Sequence, residues 1–593
     1  MATGPPSSGS SSPTSYYTAN NSNIEGSTTA SSPVQAVPCA YRDARTFPDE
    51  LKKHGQIFME EQLYSCAISL LNSVLGAGMS RSRPLSRPAL VPPPSHLAVL
   101  CSLMIHPAFT TQAQNPEQRD AASMSLDYLR NVLTLVGPMN AGFATAFQFQ
   151  DLPRCRWGRR SAVAYATSAG SDSDMSDGDA DRDHDRLHGD MANERGLWNR
   201  GQDLWNTVGW AFNTSTLHPF RWRYWKIWLD FMLVVLEADW DEREALDEAA
   251  YEARGGHGGE VPTASRQNAM MAAYIYQGAV GGHVALRPII KALFADGSTL
   301  YAATFPEIFD KETRKPKKKP LKKRKREQEV DLENDKFGDY FDDESVSSDV
   351  SESVAPQKRQ RAAAVTVHGH ATAKTTETLG SCSPGFVESI THRLRLFRLL
   401  SAAMDALGRP SDLDRLYEEF ALCIKGLRLE VFALFVTQRD NPLLPEVHVT
   451  LIKSLFDQLL PTSPRSENKP RNVDPEGDEE GRLSQKLLEH CYVCLPANTV
   501  IVEDNAKLSL LVEDAIQLLW LSDELTYTAG FEAACERGIR EREEKVSGRR
   551  RRKVRADPQN NDKTDEVLAQ EMLDASAERI RVLVEALKTT SSV

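Results

Sequence analysis

Phe220-Arg221-Trp222-Arg223-Tyr224-Trp225-Lys226-Ile227-Trp228-Leu229 is the stretch on which the reading of this chain turns. From it onward Trp222, Trp225, Leu229, Met232, Leu236 and Trp240 recur every three or four residues over about five turns, the signature of a helix with one apolar face. Seven of the nine tryptophans fall between Trp198 and Trp240, so the segment 197–240 holds most of the large aromatic surface available to a core. Arg221, Arg223 and Lys226 alternate with the indoles. Aromatics at this spacing read first as the inside of a helical core, with Trp222, Arg223, Trp225 and Trp228 as a candidate partner-binding surface in the alternative.

Working outward, the same period returns. Leu63, Ala67, Leu70 and Val74 fall on one face, as do Leu126, Leu129, Leu133 and Val136, the latter in a helix that Asn115, Pro116 and Gln118 are placed to cap. The five-proline stretch from Ser80 to Pro94 reads as loop. Between Asn268 and Phe294 two helices are broken at Gly278, Gly281 and Gly282. Further on, Ile390, Leu394, Phe397, Leu400 and Met404 make a stripe that Gly408 and Pro410 end. Ser411 reads as the cap of a helix facing inward with Leu413, Leu416, Phe420 and Ile424. Leu508, Leu511, Ala515, Ile516 and Leu519 form another stripe, and Leu573, Ala577, Ile580, Val584 and Leu587 mark a C-terminal helix.

Alternation at period two is absent, so the expected fold is all-α: two irregular helical regions separated by a long disordered charged linker, with a disordered N-terminal tail. The boundaries are a Ser/Thr/Pro-rich tail over 1–48 and a first helical region over 49–311 with an acidic insert at about 160–195. A basic and acidic linker follows over 312–380. The second helical region is expected over 381–540 with a polar loop at about 462–481, followed by a basic linker over 541–562 and a helix over 563–593. The 593 residues, 41% of them apolar, suffice for real cores. Nine scattered cysteines without framework spacing suit a reducing compartment. The most apolar stretch, Ile227 to Leu236, contains Asp230 and is about half the length of a bilayer span, so no membrane partner is expected.

The strongest functional signal is Lys315-Pro316-Lys317-Lys318-Lys319-Pro320-Leu321-Lys322-Lys323-Arg324-Lys325-Arg326, which reads as a nuclear localisation signal open to an import receptor. Lys358-Arg359-Gln360-Arg361 and Arg549-Arg550-Arg551-Arg552-Lys553-Val554-Arg555 are further basic runs, the last a second candidate signal. No aromatics are interleaved with them, so weak non-specific contact with nucleic-acid phosphates is the most they imply. Ser171, Ser173, Ser176, Ser345, Ser347 and Ser348 stand among carboxylates, the setting an acidophilic kinase selects.

Three features tempt a chemical reading. Cys491 and Cys494 have a CxxC spacing but no second pair, and read as helix cysteines rather than a zinc site. Gly255-Gly256-His257-Gly258-Gly259 lacks the strand, helix and lysine of a phosphate loop, and His368 and His370 lie in the expected linker. Neither a catalytic residue, a metal nor a cofactor is assigned. The expectation is a non-enzymatic scaffold or adaptor subunit of a chromosome-associated nuclear complex. The alternatives are a nucleic-acid-binding factor of ribosome or RNA biogenesis, and an enzyme with an unrecognised site.

Overall fold

The computed structural model describes residues 41–77, 88–149, 187–254, 261–277, 284–314, 383–438, 440–461, 469–479, 481–553 and 562–590. The fold is all-α, as the periodicities predict, apart from one short strand pair among these residues. Strand β1 (Ala44–Thr46) runs parallel to β2 (Ala89–Val91), with Ala44, Arg45 and Thr46 opposite Ala89, Leu90 and Val91. This corrects two expectations, a tail reaching residue 48 and a loop running from 80 to 94. Three-residue strands are too short for alternation to register, and the docking is specified elsewhere. Arg42 donates its backbone N–H to the Leu135 carbonyl at 2.9 Å. The Tyr41 ring lies where a Cβ on Gly137 would be 2.4 Å away, and Gly137 has φ +80°. Only glycine fits there.

Helices α1 (Asp49–Glu60), α2 (Tyr64–Gly76), α3 (Pro94–Leu103) and α4 (Pro116–Val136) pack around this start. On α4 the Gln118 side chain reaches back to the backbone N–H groups of Gln114 and Asn115 at 2.7 and 3.4 Å, as the capping pattern predicts. On α2 the buried stripe is turned from the expected one: Tyr64, Ala67, Ile68, Leu71 and Leu75 face inward, and Leu63 is 49% exposed. Tyr64 sets this rotation by meeting the Phe109 ring edge-on at 5.3 Å, an anchor that a count of aliphatics misses.

Helices α5 (Leu204–Leu217) and α6 (Pro219–Ala253) form the centre, and α7 (Met270–Tyr276) and α8 (Leu286–Leu293) flank them. The acidic second half of α6 is partly structural. Asp239 accepts the Met270 N–H at 2.8 Å, and Asp247 accepts those of Ser265 and Arg266, so two carboxylates satisfy the start of the chain leading into α7.

Beyond residue 382, α9 (Pro384–Ala406) lies directly on α5 and α6. Asp230 meets His392 at 2.7 Å, Glu237 bridges Arg395 and Arg398, and the Trp222 indole N–H donates to Glu388 at 3.2 Å. All five residues of the expected α9 stripe are buried. The two helical stretches thus share one hydrophobic cluster, which reaches from Phe47 to Leu587. Helices α10 (Pro410–Lys425), α11 (Leu429–Val436), α12 (Pro445–Leu459), α13 (Val502–Leu521), α14 (Ala529–Lys553) and α15 (Asp562–Thr590) complete it. The stripes expected on α13 and α15 are buried and face each other. Ser411 is not the cap of α10. Pro410 occupies the first helical position and Arg409 precedes it.

Four boundaries move. Folded chain continues through Arg314 and resumes at Leu187, because Glu312, Leu187 and Met191 are buried. The expected polar loop contains two single helical turns, Pro470–Val473 and Pro475–Glu479. The basic linker expected from 541 is helix as far as Lys553. Its arginines, lysines and glutamates are good helix formers, and positive charge suits a helix C-terminus. Among the described residues no helix is long and apolar enough to cross a membrane.

Candidate functional site

Most of the expected sites lie outside the described residues: Lys315 to Arg326, Lys358 to Arg361, Arg555, Gly255 to Gly259, His368, His370, and the six serines at 171, 173, 176, 345, 347 and 348. Arg549 to Lys553 form the last turns of α14. Trp222, Trp225 and Trp228 are buried, the last two completely, so the indoles serve the core and are not offered to a partner. Only Arg223 of that group is exposed. The reason is placement: the face carrying the indoles is covered by Phe309, which stacks on Trp225, and by α9. Cys491 and Cys494 sit in and beside a π-helical turn, Leu488–Val493, with Cys491 buried and the Cys494 thiol 3.5 Å from the His490 carbonyl. Among the described residues no three His, Cys, Asp or Glu side chains group to hold a metal.

What the structure does assemble is a polar centre where α5, α6 and the chain just after α3 meet the segment before 315. Arg221 and Glu312 are both fully buried and paired at 2.7 Å. Arg221 also donates to the Thr110 hydroxyl and the Ile105 carbonyl, each at 2.9 Å, and Trp210 donates its indole N–H to Glu312. Burial pushes the Glu312 carboxyl up and the Arg221 guanidinium down from their ordinary ranges, and each partner's charge counters the other's shift.

Near this pair, whose Arg221 acts on the charge of His106, lies a cavity of about 200 Å³ lined by His106, Gln112, Arg195, Arg200, Phe309 and Asp310, among others. His106 caps the 3-10 turn Pro107–Phe109, its Nδ1 accepting the Ala108 N–H at 3.2 Å. Phe309 and Phe109 meet its ring edge-on. Burial first, and then the guanidiniums of Arg195, Arg221 and Arg200, hold its pKa down at about 3. The imidazole is therefore neutral at physiological pH. With Nδ1 accepting, its proton sits on Nε2. Arg200 is fixed by the Glu194 carbonyl at 2.7 Å and by Asp310 at 2.9 Å, and Asp310 is itself 76% exposed. Arg195 is exposed and has no carboxylate at ion-pair distance among the described residues. Gln112 ties the far wall down through the Lys311 and Arg314 carbonyls.

Sequence reading missed this centre because its parts fell in the wrong categories. Glu312 stood in the expected linker, and Arg195 at the margin of the expected insert. One signal was available: Phe305, Ile308 and Phe309, all buried, carry the apolar pattern up to Glu312.

The fold and site define a helical protein with fully buried arginines and an arginine-walled cavity. No protein-family model, curated protein or solved structure matches the chain, so its function is argued from its own residues.

Proposed function

We propose that this chain is a non-enzymatic scaffold or adaptor subunit of a chromosome-associated nuclear assembly, imported through Lys315 to Arg326. The observation that carries the reading is where that interval is anchored. Just before it, Glu312 is held by Trp210 of α5. Just after it, Ser383 meets the Ser215 carbonyl of the same helix at 3.4 Å, and a Cβ on Gly385 would lie 2.3 Å from that carbonyl. The basic run thus begins and the chain returns at neighbouring points on one helix, so a receptor can engage the interval while the core on both sides stays packed.

The test is affinity purification of the tagged full-length protein from nuclear extract with and without nuclease. A defined nuclease-resistant set of protein partners is expected. Changing Lys322, Lys323, Arg324, Lys325 and Arg326 to alanine is expected to abolish nuclear accumulation of a fluorescent fusion.

A second reading, a nucleic-acid-binding factor of ribosome or RNA biogenesis, is favoured by one feature: Arg549 to Lys553 continue α14 as helix and so concentrate charge at its end. It requires nuclease-sensitive recovery and an affinity that falls steeply with salt.

A further inference from the structure

We propose that the cavity walled by His106, Arg195 and Arg200 is a binding site for a tetrahedral oxyanion, namely a phosphate group. Three independent features converge on it. The His106 ring is 6% exposed, and its Nδ1 is occupied by the Ala108 N–H. Its Nε2–H has no partner among the described residues and is left to the cavity that the ring lines. That N–H is open to the cavity rather than sealed inside the core, so an anion entering there can accept from it without displacing a protein partner. Arg195 stands at the same cavity with its charge unpaired by any described carboxylate, and a guanidinium fork suits two oxygens of a phosphate. Arg200 is already oriented by the Glu194 carbonyl and by Asp310, so its ordering costs nothing further on binding.

Asp310 offsets one positive charge. The wall therefore carries two arginines and one aspartate, with a neutral N–H donor from His106. Arg221 and Glu312, which do not line the cavity, neutralise each other, so they neither attract nor repel the ligand strongly. Histidine supports this arrangement better than lysine would, since it donates without adding charge. The volume, about 200 Å³, lies below the range of cavities that enclose whole drug-sized ligands. That matches a phosphate head group with a few waters, either free phosphate or the phosphorylated side chain of a protein.

The experiment is isothermal titration of the full-length protein, with chloride at matched ionic strength as the blank. Inorganic phosphate is titrated in one arm and N-acetyl-phosphoserine amide in the other. Saturable binding is expected, weakened about tenfold or more by Arg195→Ala and by Arg200→Ala. Arg195 is exposed and makes no side-chain hydrogen bond or ion pair among the described residues, so Arg195→Ala should melt like the wild type without phosphate. This variant decides the matter even if Arg200→Ala is destabilised. On phosphate addition the His106 Nε2 resonance should move while that of His96 stays fixed. Tighter binding of the phosphoserine derivative would identify a phosphoprotein ligand, and equal or weaker binding would identify free phosphate. Absence of saturation, or unchanged affinity in Arg195→Ala, overturns the proposal.

Discussion

Arg221 and Arg393 are both fully buried, both sit on long helices, and both fasten a segment about a hundred residues away, yet they are stabilised differently. Arg221 has a carboxylate, Glu312, together with a hydroxyl and a carbonyl. Arg393 has no ion pair among the described residues. Its nitrogens donate to the Ser389 hydroxyl at 2.9 Å, to the Ala295 carbonyl at 2.8 Å and to the Leu293 carbonyl, and its plane lies 4.0 Å from the Phe212 ring centre and 4.7 Å from that of Phe386. Leu293 ends α8, so the guanidinium sits at the negative pole of that helix and between two electron-rich ring faces. Burial still depresses its pKa to about 9, which leaves it charged at neutral pH. One site answers a buried charge with an opposite charge, the other with dipoles and quadrupoles.

The comparison predicts unequal consequences when each site is broken. Glu312→Ala strands a buried guanidinium and should cost about 3–5 kcal/mol in urea unfolding, the largest single effect expected here. Replacing both members, Arg221→Met with Glu312→Leu, removes the stranded charge and should recover most of that loss. A single substitution costing no more than a surface pair would mean that the Arg221 site is wet, and the contrast would fail. Arg393→Met strands no ion and leaves the Leu293 and Ala295 carbonyls without their donor. It should cost about 2–3 kcal/mol, less than Glu312→Ala. Equal losses from the two would show that a helix terminus and two rings bind the charge as firmly as a carboxylate does.

Neither site was legible in the sequence, although much around them was. The stripes of α9, α13 and α15 could be read because each lies on a helix of 20 residues or more, long enough for the helical period to rise above chance. The α4 cap was readable because capping is local, confined to Asn115, Pro116 and Gln118. Arg221 and Arg393 look like any solvated arginine on a helix. What buries them is tertiary: Glu312 and Ala295 lie 91 and 98 residues away in the chain. The same holds for β1 and β2, whose pairing depends on a contact at Gly137, and for the cavity, whose His106, Arg195 and Asp310 come from three distant turns. Period and capping report on a segment's own face. They are silent on which distant group meets it.

His106 sharpens the comparison from the other side, since it responds to burial by giving up its charge. Its pKa falls from about 6.5 to about 3 on folding, so between those values the unfolded chain binds more protons than the folded one. Stability contributed by neutral His106 is therefore full above pH 6.5 and is lost as pH falls toward 3. At pH 5 the loss is on the order of 1–2 kcal/mol. Asn at this position keeps a side-chain acceptor for the Ala108 N–H and cannot be protonated, so His106→Asn should flatten the acid limb of a stability–pH profile by that amount while changing little at pH 7.5. The measurement belongs in phosphate-free buffer, because an anion in the cavity would favour the imidazolium and raise the folded pKa. His96, held down at about 4 chiefly by burial, remains in the variant and leaves a residual slope as an internal reference. An unchanged acid limb in His106→Asn would mean that the folded imidazole takes up its proton as readily as the unfolded one, and the distinction between charges kept by pairing and charges avoided by deprotonation would not hold at this site.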